Sequence, residues 1–360
     1  MPDKVHTAGR NRICRRRYGL SRHRWVVLAV LAVLPLAWVL SGLLTDRRDA
    51  APVERHGFAM STYVRLVIHD RKGAEIADSC LEELARLESV FDRFLPGSEI
   101  SRLNAQAGAG WVEVSEDLFA VLEVALDVAE RSGGALDLSV AHLVDLWGFH
   151  EQDGRIPEHP PPNDREISHQ LQQVDFRRIE IDPSRRMVRL PEGVRLDMGA
   201  VAKGYALDCL AALASRQGAR AALFDLGGNI KVMGTKPDGS SWRIALRHPR
   251  RLDEFFAVLA LSDKAVATSG DYQRYFMWEG ERYSHILDPR TGYPASEVCS
   301  VTVMAPTGVL SDALSTAAFV LGVEEGRALL ESMPGVEGVF VDRELQTTVT
   351  SGLEGLSANL

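Results

Sequence analysis

The chain has 360 residues, 46% of them hydrophobic and 25% charged, with a net charge of −8. This ordinary globular usage excludes a wholly disordered chain, a collagen-like fibre and a disulfide-dense miniprotein. Eight of the 41 basic residues, but only one of the 49 acidic residues, lie within residues 1–24. The rest of the chain is therefore acidic. Because phosphate backbones are bound by basic surfaces, we predict that nucleic acid is not a partner.

The N-terminal segment has the pattern of a membrane anchor. Residues 25–44 carry no charged side chain and are mostly apolar, and twenty such residues match the thickness of a bilayer as a helix. The arginines at 15–17 precede this segment, and the side that is richer in Lys and Arg faces the cytoplasm. We predict a basic cytoplasmic head at 1–24, a transmembrane signal-anchor at 25–44 and a tether at 45–57. The rest of the chain would lie in the periplasm, held at the inner (cytoplasmic) membrane by a single pass. Cleavage as a signal peptide is the alternative, although the segment is longer than a usual signal core and lacks a clear cleavage site.

A strand and two helices are predicted in the first half of the body. Residues 62–69 are rich in β-branched and aromatic side chains, as in strands. Apolar residues recur every three or four positions over 74–94, and again over 116–131, where Ser115 can cap the helix. The proline-rich residues 151–166 are predicted to form a surface loop.

The second half is predicted to be mostly strands. Two helices, at 201–216 and 312–321, interrupt them and end near Gly218 and Gly322. The predicted strands are 178–182, 186–190, 220–225, 230–233, 241–247, 255–261, 274–278, 282–287 and 299–305. Strands in blocks, with helices clustered between them, indicate an α+β fold with a mostly antiparallel sheet and flanking helices. The glycine patterns of dinucleotide-binding folds and P-loops are absent from the sequence.

One candidate anion site lies where a predicted strand turns into a helix. Asp197 ends the strand, Gly199 and Ala200 form the turn, and Lys203 lies on the first helical turns. Because the N-terminus of a helix presents free N–H groups, this arrangement suits a phosphate. A capped helix with a solvated lysine is the alternative.

Two further segments carry candidate chemistry. His285 ends a β-rich run, and Asp288 and Arg290 follow it in a turn, so the histidine could be a base with charged partners. A hydrogen-bonded turn is the alternative. Asp312 and Thr316 are four residues apart and share one helix face. Their oxygens suit Mg²⁺, although an N-cap aspartate with an ordinary threonine would give the same pattern.

Together these segments resemble the ApbE family, the FAD:protein FMN transferases. The resemblance implies an ApbE-like transferase domain over 58–350, followed by a C-terminal tail over 351–360. It rests on the motifs LDMGAVAKGYALD, FDLGGNIKVMG, SGDYQRYFMWEGERYSHILDPRTGYP and SVTVMAPTGVLSDALSTAAFVLG. Two positions differ from the usual family pattern. Ser61 stands where the family often has glycine, and Phe94 where it often has tyrosine.

The resemblance implies a magnesium-dependent transfer of FMN from FAD to a threonine or serine hydroxyl of another protein, with release of AMP. The acceptor would be a flavoprotein subunit of a membrane redox complex, and family acceptors carry a short Ser/Thr-Gly-Ala-Ser/Thr motif. His285 would be the base, and Ala200 (through its carbonyl), Asp312 and Thr316 would bind Mg²⁺. The residues implied to line the FAD site are Met60, Phe94, Ala135, Leu136, Asp137, Asp197, Lys203 and Ile286.

Two other functions fit the same motifs. An FAD pyrophosphatase would use water instead of a protein hydroxyl and release free FMN with AMP. A non-catalytic, membrane-anchored flavin-binding protein would bind FAD and release no AMP. The presence of Asp312, Thr316 and His285 together favours an enzyme.

Overall fold

A computed structural model describes residues 51–149 and 158–356. The α-helices in these ranges are α1 (Gly73–Phe91), α2 (Glu99–Ala105), α3 (Glu116–Arg131), α4 (Ala141–Leu146), α5 (Asp164–Leu171), α6 (Ala202–Arg216) and α7 (Gly308–Glu331). The strands are β1 (Val53–Ala59), β2 (Thr62–Ile68), β3 (Trp111–Glu113), β4 (Glu180–Asp182), β5 (Met187–Arg189), β6 (Ala222–Leu226), β7 (Asn229–Met233), β8 (Trp242–Arg247), β9 (Phe255–Leu261), β10 (Ala265–Gly270), β11 (Tyr275–Trp278), β12 (Glu281–Ser284), β13 (Val298–Ala305), β14 (Glu337–Asp342) and β15 (Thr347–Val349).

The centre of the fold is an eight-stranded sheet in the order β1-β2-β6-β7-β10-β13-β14-β15, in which every neighbouring pair is antiparallel. Successive side chains of a strand point to opposite faces. Leu66 and Ile68 of β2 therefore join the core under α1, α6 and α7, whereas Val67 joins a second core under the β8–β9 hairpin. This arrangement confirms the predicted α+β fold with a mostly antiparallel sheet and flanking helices.

The predicted helices with clear apolar periodicity are present. Residues 116–131 form α3, and Ser115 caps it by accepting a hydrogen bond from the N–H of Leu118. α1 ends at Phe91, three residues earlier than predicted, so Phe94 lies in the loop that follows. The helix predicted at 312–321 begins earlier than predicted, and its predicted end at Gly322 coincides with a break in the observed helix. It runs from Gly308 to Glu331 and is interrupted at Gly322, which has a φ of 78°.

Some elements are absent from the sequence-based prediction. β1 occupies part of the predicted tether, 45–57, and pairs with β2 along its whole length. Because β1 is an edge strand with an exposed face, its polar residues hide the usual apolar alternation. α5 lies partly in the predicted loop 151–166, and Asn163 begins it with a capping box. Leu353, in the predicted tail 351–360, packs against the second core.

The predicted head and signal-anchor lie outside the described residues. Between residues 51 and 149 and between 158 and 356, no helix is both long enough and apolar enough to cross a membrane.

The helices α6 and α7 cross in close contact. A Cβ atom built on Gly204 would lie 2.2 Å from the carbonyl oxygen of Gly308, so only glycine fits there. Asp208 of α6 accepts hydrogen bonds from the N–H groups of Gly308 and Val309, at 2.8 and 3.0 Å, and so caps α7. Lys231 of β7 pairs with the same carboxylate at 2.6 Å.

Replacing Gly204 with alanine is expected to destabilise the protein, because the new methyl group overlaps the backbone of α7. Overpacking of this kind costs about 1–3 kcal/mol. Thermal unfolding of the variant should show a lowered Tm, whereas the exposed α6 substitution Ser215→Ala should not. A Gly204→Ala protein with an unchanged Tm would show that the helices are not in contact at this point.

Candidate active site

Two tight turns lie side by side at one end of the sheet. Met60 and Ser61 connect β1 to β2, and both have positive φ, as does the Gly227-Gly228 pair that connects β6 to β7. Positive φ at both central residues is the geometry of type I′ hairpin turns. A Cβ atom on Gly227 would lie 1.9 Å from the hydroxyl of Thr62, so the second turn needs glycine to fit against the first. These contacts fix the position of Met60.

A buried arginine holds Asp197. The side chain of Arg93 is only 3% exposed and pairs with the carboxylates of Asp197 and Asp145, the latter at 2.8 Å. Its guanidinium also lies 4.1 Å from the centre of the Phe94 ring, which is 60% exposed. Arg93 therefore links two predicted FAD-site residues, Asp197 and Phe94. No local sequence pattern marks Arg93, because a single arginine at a helix end is usually solvated.

The segment that contains Ala135, Leu136 and Asp137 is buried. The Asp137 carboxylate accepts hydrogen bonds from the N–H and hydroxyl of Ser139, at 2.8 and 2.6 Å, and from the N–H of Phe176 at 2.7 Å. Burial raises the pKa of Asp137. Both carboxylate oxygens are thus used within the protein, so this residue shapes the loop. The carbonyl of the next residue along, Leu138, accepts a hydrogen bond from the N–H of Asp197, which joins this loop to the Asp197 segment.

His285 is held as a neutral base. Its Nδ1 lies 3.1 Å from the carbonyl oxygen of Arg274. Because a carbonyl can only accept, Nδ1 carries the proton and Nε2 keeps a lone pair. Burial, together with the positive charges of Arg274 and Lys203, lowers the pKa of His285 to about 4.

The prediction that Asp288 and Arg290 are charged partners of His285 is wrong. Arg290 makes two hydrogen bonds of 2.9 Å to Asp288, so these residues pair with each other within their own turn. The partner of the histidine ring is instead the backbone of Arg274. Ile286, the residue after His285, is buried, and its carbonyl accepts a hydrogen bond from the N–H of Ala295.

The Asp312 carboxylate lies at the first turn of α6. It is buried, and one of its oxygens accepts a hydrogen bond of 2.9 Å from the N–H of Gly204. In a regular helix that N–H would bond to the carbonyl of Ala200, four residues earlier. Within the described ranges the Ala200 carbonyl accepts no backbone hydrogen bond, so it remains available to a ligand. The hydroxyl of Thr316 lies one turn along α7 from Asp312 and 3.5 Å from the Ser269 hydroxyl.

Asn229 is a further residue of this site. It follows the Gly227-Gly228 turn, is 4% exposed, and its Nδ2 atom has no hydrogen-bond partner. Its amide lies beside the Asp312 carboxylate, short of hydrogen-bond geometry. Burial raises the pKa of Asp312, and the Asn229 amide and the charge of Lys203 both oppose that rise. The Asn229 amide is therefore one of the polar groups that surround the Asp312 carboxylate. No local sequence pattern marks Asn229, because Asp312 lies far from it along the chain.

These oxygen atoms fit a hard divalent cation. A buried carboxylate with a raised pKa is stabilised by a positive partner, and a carbonyl and a hydroxyl complete the kind of ligand set that Mg²⁺ takes along with water. Over the stretches that the structure describes, no group of three or more His, Cys, Asp or Glu side chains could hold a metal. A cation here would therefore bind through Asp312 and neutral oxygens.

The structure brings most of the predicted polar residues together. The charges of Lys203 and Asp197 both act on the pKa of His285, and Lys203 acts on that of Asp312. Lys203 also donates a hydrogen bond of 3.2 Å to the Gly199 carbonyl, at the turn that begins α6. The fold and site together define an α+β protein with a polar site that suits an anionic ligand and a divalent cation.

The chain belongs to the ApbE family, whose model matches residues 60–340. It is 34% identical over 332 residues to the FAD:protein FMN transferase of Treponema pallidum, covering 87% of this chain and 90% of the relative. Among solved structures, an ApbE protein of Thermotoga maritima aligns with a TM-score of 0.78 and 33% identity, over 86% of this chain and all of that one. The flavin transferase ApbE of Vibrio cholerae aligns with a TM-score of 0.76 and 27% identity, with the same coverages.

Proposed function

We propose that this protein transfers FMN from FAD to a hydroxyl group of another protein. The observation that carries the proposal is the neutral His285, whose Nε2 lone pair is free of the Arg274 contact and whose pKa responds to the nearby charges of Lys203 and Asp197. The enzyme names of the relatives support the same chemistry. His285 would take the proton of the acceptor hydroxyl as its oxygen bonds to the phosphorus of the FMN half. The bond between that phosphorus and the bridging oxygen breaks, and AMP leaves with the bridging oxygen.

Different residues of the chain would bind FAD and the metal ion. Lys203, at the N-terminal end of α6, would bind the pyrophosphate, and Arg93 would keep Asp197 and Phe94 in place for the rest of FAD. Met60, Ile286 and the Ala135–Asp137 loop would complete that pocket. Asp312, Thr316 and the Ala200 carbonyl would hold Mg²⁺. When bound, this ion would stabilise the negative charge of the pyrophosphate as its bond breaks.

The proposal is tested with the full-length protein in detergent, FAD and Mg²⁺. The acceptor is a synthetic peptide with a central Thr-Gly-Ala-Thr motif, and the products are followed by chromatography and mass spectrometry. We expect AMP and a peptide that carries FMN. AMP with only free FMN would make the protein an FAD pyrophosphatase. Tight FAD binding without AMP would make it a flavin-binding protein.

The reaction is expected to tolerate acid. A base must be unprotonated to accept a proton, and the lowered pKa keeps His285 unprotonated down to about pH 4. We therefore expect kcat/KM to stay level as the pH falls from 7 to 5, and to drop only near pH 4. An acid limb centred near 6.5, the pKa of an ordinary histidine, would contradict the partly buried, neutral state of His285.

We also propose that residues 25–44 anchor the protein in the inner membrane, with the catalytic domain in the periplasm. The uncharged segment and the basic residues before it support this topology. The acceptor would then be a flavoprotein subunit of a membrane redox complex. Protease added to spheroplasts should digest the catalytic domain while a cytoplasmic marker survives. Protection of the domain until lysis would reverse the proposed topology.

A further inference from the structure

The β8–β9 hairpin has two faces of opposite character. One face, which includes Trp242, Ile244 and Leu259, is buried against the central sheet. The other face is exposed, because successive side chains of each strand alternate in direction. Its residues, the outer β8–β9 face, form the cross-strand pairs Arg243 with Ala260, Ala245 with Val258 and Arg247 with Phe255.

This outer β8–β9 face is apolar and basic. Four of its six side chains are uncharged and apolar, two are arginines, and none is acidic. Phe255 is 59% exposed, and the Arg247 guanidinium lies 5.7 Å from the centre of its ring. The chain as a whole has more acidic than basic residues. On an acidic protein, a surface patch that combines an aromatic residue with arginines and contains no acidic side chain has the composition of an interaction site.

The face continues towards the candidate active site. Asp225 lies on β6, opposite Arg65 of β2 and beside the Gly227-Gly228 turn that leads to Asn229. The positive charges of Arg65 and Arg247 both favour a lower pKa for its carboxyl group. On the same side of the sheet, Arg65 is followed by a cross-strand pair of exposed aromatic residues, Phe58 and Tyr63. These two aromatic residues flank the Met60-Ser61 turn. An acceptor that presents its hydroxyl at the site could therefore extend over the outer β8–β9 face.

We infer that the outer β8–β9 face docks an acidic and partly apolar segment of the acceptor protein. The inference rests on the proposed function. Arg243 and Arg247 would attract acidic side chains of the acceptor, and Phe255 and Val258 would cover its apolar ones. Charge complementarity at an exposed surface acts mainly on the rate of encounter, so the face governs acceptor recognition and leaves the chemistry at FAD unchanged.

Two peptides test this inference with the full-length protein. Both carry the Thr-Gly-Ala-Thr motif between flanks of twelve residues. In one peptide the flanks mix aspartate and glutamate with leucine, and in the other, lysine replaces the acidic residues. The variant Arg243→Glu with Arg247→Glu is compared with the control Arg177→Glu with Arg185→Glu, which makes the same charge change on exposed arginines of another surface. AMP release without any peptide measures the reaction with FAD alone.

We expect the acidic peptide to have the lower KM with the wild-type protein. The face variant should raise that KM about tenfold and lower the KM of the lysine peptide, while the control variant changes neither. AMP release without peptide should stay the same in all three proteins. An equal effect of both variants, or a wild-type preference for the lysine peptide, would overturn the inference.

Two other occupants of the face are separate outcomes. If the face variant reduces binding to vesicles that contain anionic phospholipid, and leaves both peptide KM values unchanged, the face contacts membrane. If instead it changes only the sedimentation coefficient, the face joins two copies of the chain. Either result overturns acceptor docking alone. Failure of the wild-type protein to label any peptide would overturn the proposed function, and docking with it.

Discussion

Replacing His285 with alanine is expected to lower the rate of FMN transfer by about 10²–10⁴-fold, the usual contribution of a positioned general base. The hydroxyl of threonine or serine is a weak nucleophile until its proton is removed. The affinity for FAD should change much less, because the hydrogen bond that the ring makes within the protein goes to the Arg274 carbonyl. Single-turnover rates at saturating FAD, together with FAD titrations by fluorescence, separate the two effects.

A matched variant is available for this test. In His285→Asn, the side-chain amide N–H can replace Nδ1 as donor to the Arg274 carbonyl, whereas nothing replaces Nε2. We expect His285→Asn to keep the wild-type Tm and to be as slow as His285→Ala. Normal turnover at saturating FAD in either variant would show that His285 binds FAD and is not the base.

Removal of the Asp312 carboxylate should have an effect of similar size. It supplies the only formal charge among the three proposed Mg²⁺ ligands, the other two being the Thr316 hydroxyl and the Ala200 carbonyl. In Asp312→Asn, an amide oxygen can still accept the hydrogen bond from the Gly204 N–H, so the fold should be kept while activity collapses. Asp312→Ala would also leave that N–H unsatisfied, at a cost of about 1–3 kcal/mol of stability. Activity against Mg²⁺ concentration and thermal unfolding measure the two losses separately.

Substitutions of two residues near Asp312 are expected to have smaller effects than the loss of its carboxylate. Thr316→Ala should be milder, because water can replace a neutral hydroxyl as a ligand. Asn229→Leu removes the amide beside Asp312, and substitutions next to metal ligands typically weaken metal binding about 10–100-fold. The affinity for Mn²⁺, measured by electron paramagnetic resonance, should rank the variants in the same order. This measurement does not depend on turnover. Full activity of the wild-type protein in excess chelator would place the metal site elsewhere or remove it from the mechanism.

The sequence predicted the fold best where a pattern is local. Apolar periodicity and the Ser115 cap identified α3, because both act within one helix. β1 escaped prediction because an edge strand is stabilised by its partner, here β2, and its exposed face needs no apolar residue. The α5 cap escaped attention because prolines dominate the segment before it.

The same distinction applies to the site. Asp312 and Thr316 are one helical turn apart, so their common direction follows from spacing alone. Arg93 and Asn229 matter because of residues more than 80 positions away, Asp197 and Asp312, and no local spacing encodes those contacts. Asp288 and Arg290 show the converse error. Their closeness to His285 along the chain suggested a shared role, whereas they neutralise each other within one turn.

Because Asp208 of α6 caps α7, the first turns of these two helices are expected to unfold together. Asp208 belongs to the helix that carries Lys203, and the amides it holds begin the helix that carries Asp312. Loss of α6 by local unfolding would therefore expose the first amides of α7 as well, so the two segments form one cooperative unit. In hydrogen exchange, the amides of Gly308 and Val309 should exchange at the rate of the central amides of α6, and the positions of Lys203 and of the buried Asp312 carboxylate should be lost and regained together.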